Sequence, residues 1–465
     1  MNKRQKTHGA RQCLLASYIH FVMYNGNSTY AKHLLSDIPD ADAHGTADAQ
    51  IVDTLIAAKA DVDKPDDVLM SPLHWAAASE SVSVCNVLVK HRANVNALDV
   101  QKQSPLYFAA TNGCTALVGL LLQNKAAVNH ADEDGVTALL TAVEENNVDT
   151  VSLLLENQAD VDKSDVDYTT PLMAACSKGH NECVLLLLQH RAAVNKIDIT
   201  GATPLYQACS AGHDKAVQVL LGARADVNTR EAGAGWTPLF AASWYGHSTV
   251  VQHLVEANAD INKVEHSYDW PPLLGAVHEG NERVVSVLVN ANVNVNQPVK
   301  TRYPLSEAAS KGYANIVKIL LRHGAHVELG TPLVSAAKCS PGFSSFDFSD
   351  NTEKSYAYRG ILATLLKHGA DVNQVEKGKR HTSLSITLMN GDLNAAKLLM
   401  CWGGRVDRST LLQFRGQLSY ILENIHRERH AKALKDAGTL PFDVCNIIVD
   451  YAQPRMHDVI QALLL

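Results

Sequence analysis

Two histidines near the C-terminal end of the sequence have a spacing that metal chemistry could use. His426 and His430 stand four residues apart, which places two imidazoles on one face of a helix. No cysteine or carboxylate set near them completes a metal site, and the intervening Arg427, Glu428 and Arg429 are typical of a solvated helix face. We therefore predict that no metal binds here.

The sequence motifs of catalysis and of phosphate binding are missing. The chain contains no Gly-x-x-x-x-Gly-Lys-Ser/Thr, no Gly-x-Ser-x-Gly and no protein kinase signature. The alternating glycines within residues 231–235 indicate a lengthened turn, because the context of a phosphate loop is absent. We expect neither catalytic residues nor a cofactor, and the protein is predicted not to be an enzyme.

Charge, hydropathy and cysteine content indicate whether the protein binds nucleic acid, crosses a membrane or acts in a reducing compartment. With 41 Lys and Arg against 48 Asp and Glu, the net charge is -7, which offers no broad cationic field for nucleic acid. No apolar run approaches the ~18 residues of a membrane span, and the first residues do not read as a targeting signal. The cysteines are odd in number and without any Cys-x-x-Cys, and most occupy small buried positions, as Cys85, Cys176 and Cys209 do. A reducing cytoplasm or nucleus fits these features best.

The elements that position the side chains follow a register that returns about every 33 residues. Its marker is Ser or Thr, then Pro or Ala, then Leu, at residues 71–73, 104–106, 137–139, 170–172, 203–205 and 237–239. The hydroxyl caps a helix, and Pro at the first helical position loses no hydrogen bond. Glycines suited to a left-handed C-terminal cap end this helix: Gly113, Gly179, Gly212, Gly246, Gly280 and Gly312.

A second helix is predicted after each of these glycines. Residues 151–155 and 316–321 show its Val-x-x-Leu-Leu type of pattern, and one unit alone cannot bury the resulting apolar stripe. Small residues in the first helix, such as Ala76 and Ala77, allow neighbouring helices to approach closely. The repeat therefore predicts an all-α solenoid of stacked helix-turn-helix units.

These residues resemble the ankyrin repeat. Its pattern Thr-Pro-Leu-x-x-Ala-Ala-x-x-Gly-His, a Leu-Leu helix and Gly-Ala-Asp-Val-Asn is matched closely by residues 71–77 and 203–228. Copies begin at Ser71, Ser104, Thr137, Thr170, Thr203, Thr237, Pro271, Tyr303, Thr331 and Thr382, with a degenerate copy at Ile38-Pro39. The resemblance implies an ankyrin solenoid of about eleven units over residues 38–409, and structural roles for four histidines at positions where the repeat commonly has one: His74, His180, His213 and His247.

Three segments depart from the repeat. Residues 1–37 are predicted to form a helical N-terminal cap on the solenoid. An insertion at about 340–358 lengthens the repeat that begins at Thr331, and its Phe and Tyr residues alternate with polar ones. The insertion is either functional or a tolerated disordered excursion. Residues 410–465 form a C-terminal helical tail, in which 411–435 are predicted to be a helix.

Residues 440–454 in this tail resemble the opening of an F-box. The resemblance implies binding to a Skp-cullin ubiquitin ligase, with candidate ligase-binding residues Leu440, Pro441, Val444, Ile448 and Tyr451. The SOCS box of another ankyrin family, which would imply elongin B/C, fits less well, because Cys445 stands one residue beyond the expected place. A third interpretation is a two-helix cap that buries the same apolar residues.

The resemblance also indicates where a partner would bind. In ankyrin proteins the turn before Thr-Pro-Leu and the exposed positions of the first helix line a concave face. Five aromatic residues fall on these positions and are expected to form an exposed patch: Trp236, Trp244, Tyr245, Tyr268 and Trp270. Trp75 and Phe108 are weaker candidates, because they stand where the repeat usually packs a Leu.

Two functions remain open at this point. The first is a protein-binding ankyrin scaffold that uses its concave face and, through the tail, acts as a substrate-recognition adaptor for a cullin-type ubiquitin ligase. The alternative is a plain scaffold, a targeting protein or a host-directed effector whose tail is only a structural cap.

Overall fold

A computed structural model describes residues 46–57, 59–300, 302–339, 351–376, 378–406 and 408–433. These residues contain 23 α-helices, no β-strand and three isolated β-bridges. The helices belong to two compact units, divided between Gly233 and Ala234. The expectation of an all-α fold built from stacked helix pairs is confirmed.

The first unit contains eleven helices. They are α1 (Thr46–Ala57), α2 (Pro72–Ala78), α3 (Val82–Lys90), α4 (Pro105–Thr111), α5 (Thr115–Gln123), α6 (Ala138–Glu144), α7 (Val148–Glu156), α8 (Pro171–Lys178), α9 (Asn181–Gln189), α10 (Pro204–Ala211) and α11 (Asp214–Gly222). Short first helices such as α8 alternate with second helices such as α9, and each first helix packs on its own second helix and on the first helices of adjoining repeats.

The second unit contains twelve helices in the part of it that is described. They are α12 (Pro238–Tyr245), α13 (Ser248–Glu256), α14 (Pro272–Glu279), α15 (Glu282–Asn290), α16 (Pro304–Lys311), α17 (Ala314–Arg322), α18 (Pro332–Cys339), α19 (Asn351–Lys367), α20 (Ser383–Met389), α21 (Leu393–Cys401), α22 (Arg408–Gln413) and α23 (Arg415–Ala433).

The helix ends follow the predicted capping chemistry. The hydroxyl of Thr237 accepts a hydrogen bond from the backbone N–H of Phe240 at 3.1 Å, and Ser104, Thr137, Thr170 and Thr203 cap their helices in the same way. Gly179 ends α8 with φ of 72°. A Cβ at Gly179 would lie 2.5 Å from Nδ1 of His213, so both backbone conformation and space require glycine here.

An Asp closes each of the five loops that precede the first helices of the first unit. Oδ1 of Asp132 accepts hydrogen bonds from the N–H groups of Asp134 and Val136, at 3.0 and 2.8 Å. The same pair of bonds recurs two and four residues after Asp66, Asp99, Asp165 and Asp198. These short-range bonds satisfy backbone groups that have no helical partner and hold each loop in one shape.

The segments that depart from the repeat are described only in part. Residues 1–37 and the candidate ligase-binding residues 440–451 lie outside the described residues, as do 340–350 of the insertion. Residues 351–358, predicted to belong to the insertion, form the first turns of α19, which has 17 residues. Tyr358 anchors this helix, since its hydroxyl donates to the backbone oxygen of Ser310 at 2.9 Å. The helix expected over 411–435 is split into α22 and α23.

Three cysteines lie at the buried positions that the sequence predicts for them. Cys85, Cys176 and Cys209 are buried and free, and burial raises the pKa of each thiol. Within the described ranges, no helix combines the length and the apolar character needed to cross a membrane.

Candidate protein-binding site

Six aromatic side chains of the second unit form one continuous group, here called the aromatic cluster. Trp236 precedes α12, which contributes Phe240 from its first turn and Trp244 and Tyr245 from its last turn. Tyr268 and Trp270 belong to the loop before α14. Two successive repeats therefore supply all six rings.

The rings of the aromatic cluster are close enough to interact throughout. The centroid of Trp236 lies 4.9 Å from that of Phe240, 5.5 Å from that of Trp244 and 6.1 Å from that of Tyr245. Trp270 continues the group, at 6.0 Å from Trp244 and 5.7 Å from Tyr268. These separations lie within the range of favourable aromatic pairing.

The side chains of the aromatic cluster differ in exposure, and the prediction that Trp270 is exposed is wrong. Tyr245 is 54% and Tyr268 63% exposed, whereas Trp236 and Trp244 are half-buried. Trp270, expected to be part of an exposed patch, is only 9% exposed. It packs with Phe240, Leu274 and Val299 in the apolar core beneath the other rings.

A buried carboxylate determines the path of the loop that carries Trp270. Glu265 is 2% exposed, and its Oε1 accepts hydrogen bonds from the N–H groups of Tyr268 and Trp270, at 2.7 and 3.1 Å. Its Oε2 accepts from Ser267 at 2.6 Å. The acidic residue of this loop stands one position further from its helix cap than Asp132 stands from the cap of α6. The Glu side chain is longer than that of Asp and spans this extra residue. Trp270 is thereby turned into the core.

A charged network borders the inner edge of the cluster. The His278 ring stacks on Trp244, with centroids 5.7 Å apart and planes at 23°, and lies 4.9 Å from the Trp270 centroid. Its Nδ1 is 2.7 Å from Oε1 of Glu307, and because a carboxylate accepts, Nδ1 is the donor. The Arg302 guanidinium carbon is 5.4 Å from the Trp270 centroid, and its Nη1 is 3.5 Å from Oε2 of Glu307.

Sequence reasoning missed Phe240, Glu265, His278, Arg302 and Glu307. One signal could have found His278: it is the seventh residue of α14, as Trp244 is of α12, so stacking of successive repeats brings the two together. Glu307 comes from α16 and Arg302 from the loop before it, so the network comes from two repeats and, with the Trp244 ring, spans three. Their meeting depends on side-chain direction, which the spacing alone does not give.

The two weaker candidates belong to the first unit. Trp75 is half-buried, and its Nε1 donates to Oδ2 of Asp66 at 2.9 Å. Phe108 is also half-buried and packs edge-on against His74, with centroids 6.0 Å apart. Each is tied to its own loop or to the neighbouring first helix, and neither belongs to a group of rings as large as the aromatic cluster.

Three of the repeat-position histidines bridge adjacent repeats. His74 is fully buried, its Nε2 lies 3.0 Å from the backbone oxygen of Gln103, and burial lowers the pKa of its imidazole. His180 and His213 contact the backbone oxygens of Val143 and Ser177, at 2.8 and 3.0 Å. In the part of the chain that the structure describes, no group of three or more His, Cys, Asp or Glu side chains could hold a metal ion.

Comparison with known proteins places this geometry in a family. A family model described as ankyrin repeats (3 copies) matches residues 41–132, 93–165, 162–231, 192–265 and 273–344, well over half of the chain. The crystal structure of the human ASB11 ankyrin repeat domain is 27% identical in sequence, covers 48% of this chain and 99% of that domain, and superimposes with a TM-score of 0.43. No curated protein sequence matches. On the strength of the repeats, the chain belongs to the ankyrin repeat family.

Proposed function

We propose that this ankyrin scaffold binds its protein partner through the aromatic cluster. Ankyrin repeats are protein-binding modules, so the question for this chain is which surface makes the contact. The observation that carries the proposal is the gradation of exposure: Tyr245 and Tyr268 stand out into solvent on a base of packed tryptophans.

The packed tryptophans lower the free-energy cost of ordering side chains when a partner binds. The rings of Trp236 and Trp244 are held by neighbouring rings, and Trp270 is fixed from below by the core and by Glu265. A partner that covers Tyr245 and Tyr268 therefore buries apolar area without first ordering the surface beneath it. Aromatic groups of this kind commonly dominate the free energy of association.

Substitution of the two exposed tyrosines tests this site. The partner is first captured on the full chain, identified by mass spectrometry and purified, and its dissociation constant is then measured for Tyr245→Ala and Tyr268→Ala. Each change is expected to weaken binding by about 2 kcal/mol, the loss typical of an aromatic hot spot, with little change in melting temperature. Tyr420→Ala, at a tyrosine that is 57% exposed on α23, is the matched control. Unchanged affinity in both cluster variants would rule out this site.

We further propose that residues 410–465 join the chain to a Skp-cullin ubiquitin ligase. Support comes from the match of Leu440, Pro441 and the following aliphatic positions to the opening of an F-box. In this proposal the ankyrin repeats select a protein, and the tail brings it to the ligase. Elongin B/C is the alternative ligase component, and a structural cap is the alternative without any ligase.

Polar replacements in the tail separate these alternatives. Full-length chain with Leu440, Ile448 and Tyr451 changed to Ser is expected to lose co-purification with the Skp adaptor while keeping its helical circular dichroism. Elongin B/C is offered in parallel to wild type, and capture of elongin alone would contradict the F-box assignment. Loss of soluble folded protein from the same changes would support the cap, since uncovering a terminal repeat exposes apolar surface.

The cysteines support a reducing compartment. None of the seven described cysteines forms a disulfide, and the four of them in α3, α8, α9 and α10 are buried in the packing of the repeats. We propose that the protein acts in the cytoplasm or the nucleus.

A further inference from the structure

The loops before α2, α4, α6, α8 and α10 form a second continuous surface, here called the loop row. It consists of residues 64–70, 97–103, 130–136, 163–169 and 196–202. One backbone hydrogen bond joins each loop to the next: Val100 N to Val68 O, Glu133 N to Gln101 O, Val166 N to Asp134 O and Ile199 N to Asp167 O, at 2.8–3.1 Å. These bonds and the Asp side chains within each loop make the loop row a connected surface.

Large apolar side chains stand exposed along the loop row. Each of four loops has two of them, between 39% and 63% exposed: Val68 and Leu69, Leu98 and Val100, Val166 and Tyr168, Ile197 and Ile199. The third loop, residues 130–136, has none. The exposed side chains therefore form two apolar groups with a gap between them.

Acidic side chains occupy this gap. The third loop presents Glu133 and Asp134, both exposed, in addition to Asp132, which caps the loop. Glu133 contacts Lys102 at 3.7 Å in an ion pair whose members are both more than half exposed, so solvent screens it. The whole loop row contains nine Asp and Glu, five of which are the loop-closing Asp, and four Lys. Lys163 and Lys196 are turned to backbone oxygens at 2.7 and 3.0 Å.

Two of the apolar residues are held in an unfavourable backbone conformation. Leu69 and Tyr168 each have φ of 60°, two residues before the helix cap, where Lys102 has the same φ and Gly135 and Gly201 stand in the other two loops. A left-handed conformation costs a non-glycine residue about 1 kcal/mol, and glycine would avoid that cost. Because other loops have Lys or Gly at this position, the loop conformation itself does not require the exposed apolar side chains of Leu69 and Tyr168.

We propose that the loop row docks a segment of a protein partner in which a basic stretch is flanked by apolar residues. The flanking residues cover the two apolar groups, and Lys or Arg in the centre faces Glu133 and Asp134. This chemistry differs from that of the aromatic cluster, and the loop row lies in the other unit. The proposals for the two sites can therefore be tested independently of each other.

Peptide binding to the full chain tests the loop row. The probe is a fluorescent synthetic peptide with two leucines on each side of a Lys-Arg-Lys centre. Two matched peptides replace either the basic centre with Glu-Glu-Glu or all four leucines with Ser. We expect the first probe to bind at least about tenfold more tightly than both matched peptides, and to weaken as salt rises to about 0.5 M.

Variants of the chain locate the binding. Combined Leu69→Gly and Tyr168→Gly removes two apolar side chains while relieving the left-handed strain, so affinity should fall about tenfold or more while the melting temperature holds or rises. Combined Glu133→Lys and Asp134→Lys should weaken the same probe about tenfold or more. Leu185→Ser, at a leucine that is 45% exposed on α9, and Tyr268→Ala in the aromatic cluster should leave probe affinity unchanged.

Three results would overturn the loop row proposal. The first is absence of binding by the basic probe, and the second is equal binding of all three peptides. The third is self-association of the chain that the loop-row variants abolish, which would make a second copy the occupant of this surface.

Discussion

Replacing Trp270 with alanine is expected to lower the free energy of unfolding by about 3–5 kcal/mol, the range for a large aromatic residue removed from a core. Trp270 is 9% exposed and packs with Phe240, Leu274 and Val299. Truncation leaves a cavity beneath Trp244 and also removes the ring beneath the Arg302 guanidinium. Both losses destabilise the folded state.

Denaturant unfolding followed by far-ultraviolet circular dichroism measures this effect without relying on tryptophan fluorescence. Tyr268→Ala is the matched control, because Tyr268 belongs to the same loop and is 63% exposed. Its change in unfolding free energy should stay within about 1 kcal/mol, as expected for a surface substitution. Equal stability of Trp270→Ala and Tyr268→Ala would show that Trp270 is not part of the core.

The second large effect is expected in the first unit, where Leu187→Ala should cost about 2–5 kcal/mol. Leu187 is fully buried in α9, which packs between the second helices α7 and α11. Because each repeat is stabilised by its neighbours, the loss should extend to both adjoining repeats. Amide hydrogen exchange should then be faster in α7 and α11 as well as in α9.

Leu185 provides the control on the same helix. It lies two residues before Leu187 and is 45% exposed, so Leu185→Ala removes the same atoms from the surface. We expect a change within about 0.5 kcal/mol. A Leu187→Ala chain with the same unfolding free energy as wild type would contradict the assignment of α9 as a packed second helix. Equal losses of stability in Leu187→Ala and Leu185→Ala would point to helix propensity as the cause.

Capping and periodicity made the repeats predictable from the sequence. A hydroxyl that caps α12, a proline at its first position and Gly246 at its end all act within ten residues of the chain. The burial of Leu187 follows from the same register, because one face of a second helix must pack on its neighbours. The insertion was less predictable: residues 351–358 continue a helix, which the aromatic and polar alternation there did not indicate.

What only the tertiary structure decided is which aromatic rings remain at the surface. The register placed Trp236, Trp244, Tyr245, Tyr268 and Trp270 on the same face, yet it did not show that the Glu265 carboxylate would turn Trp270 inward. Nor did it bring His278 onto Trp244 and Glu307, which come from the repeats on either side. Helix caps depend on residues close in sequence, so the sequence alone determined them. Ring burial depends on side chains about 30 residues apart, and their directions follow only from the packing of one repeat on the next.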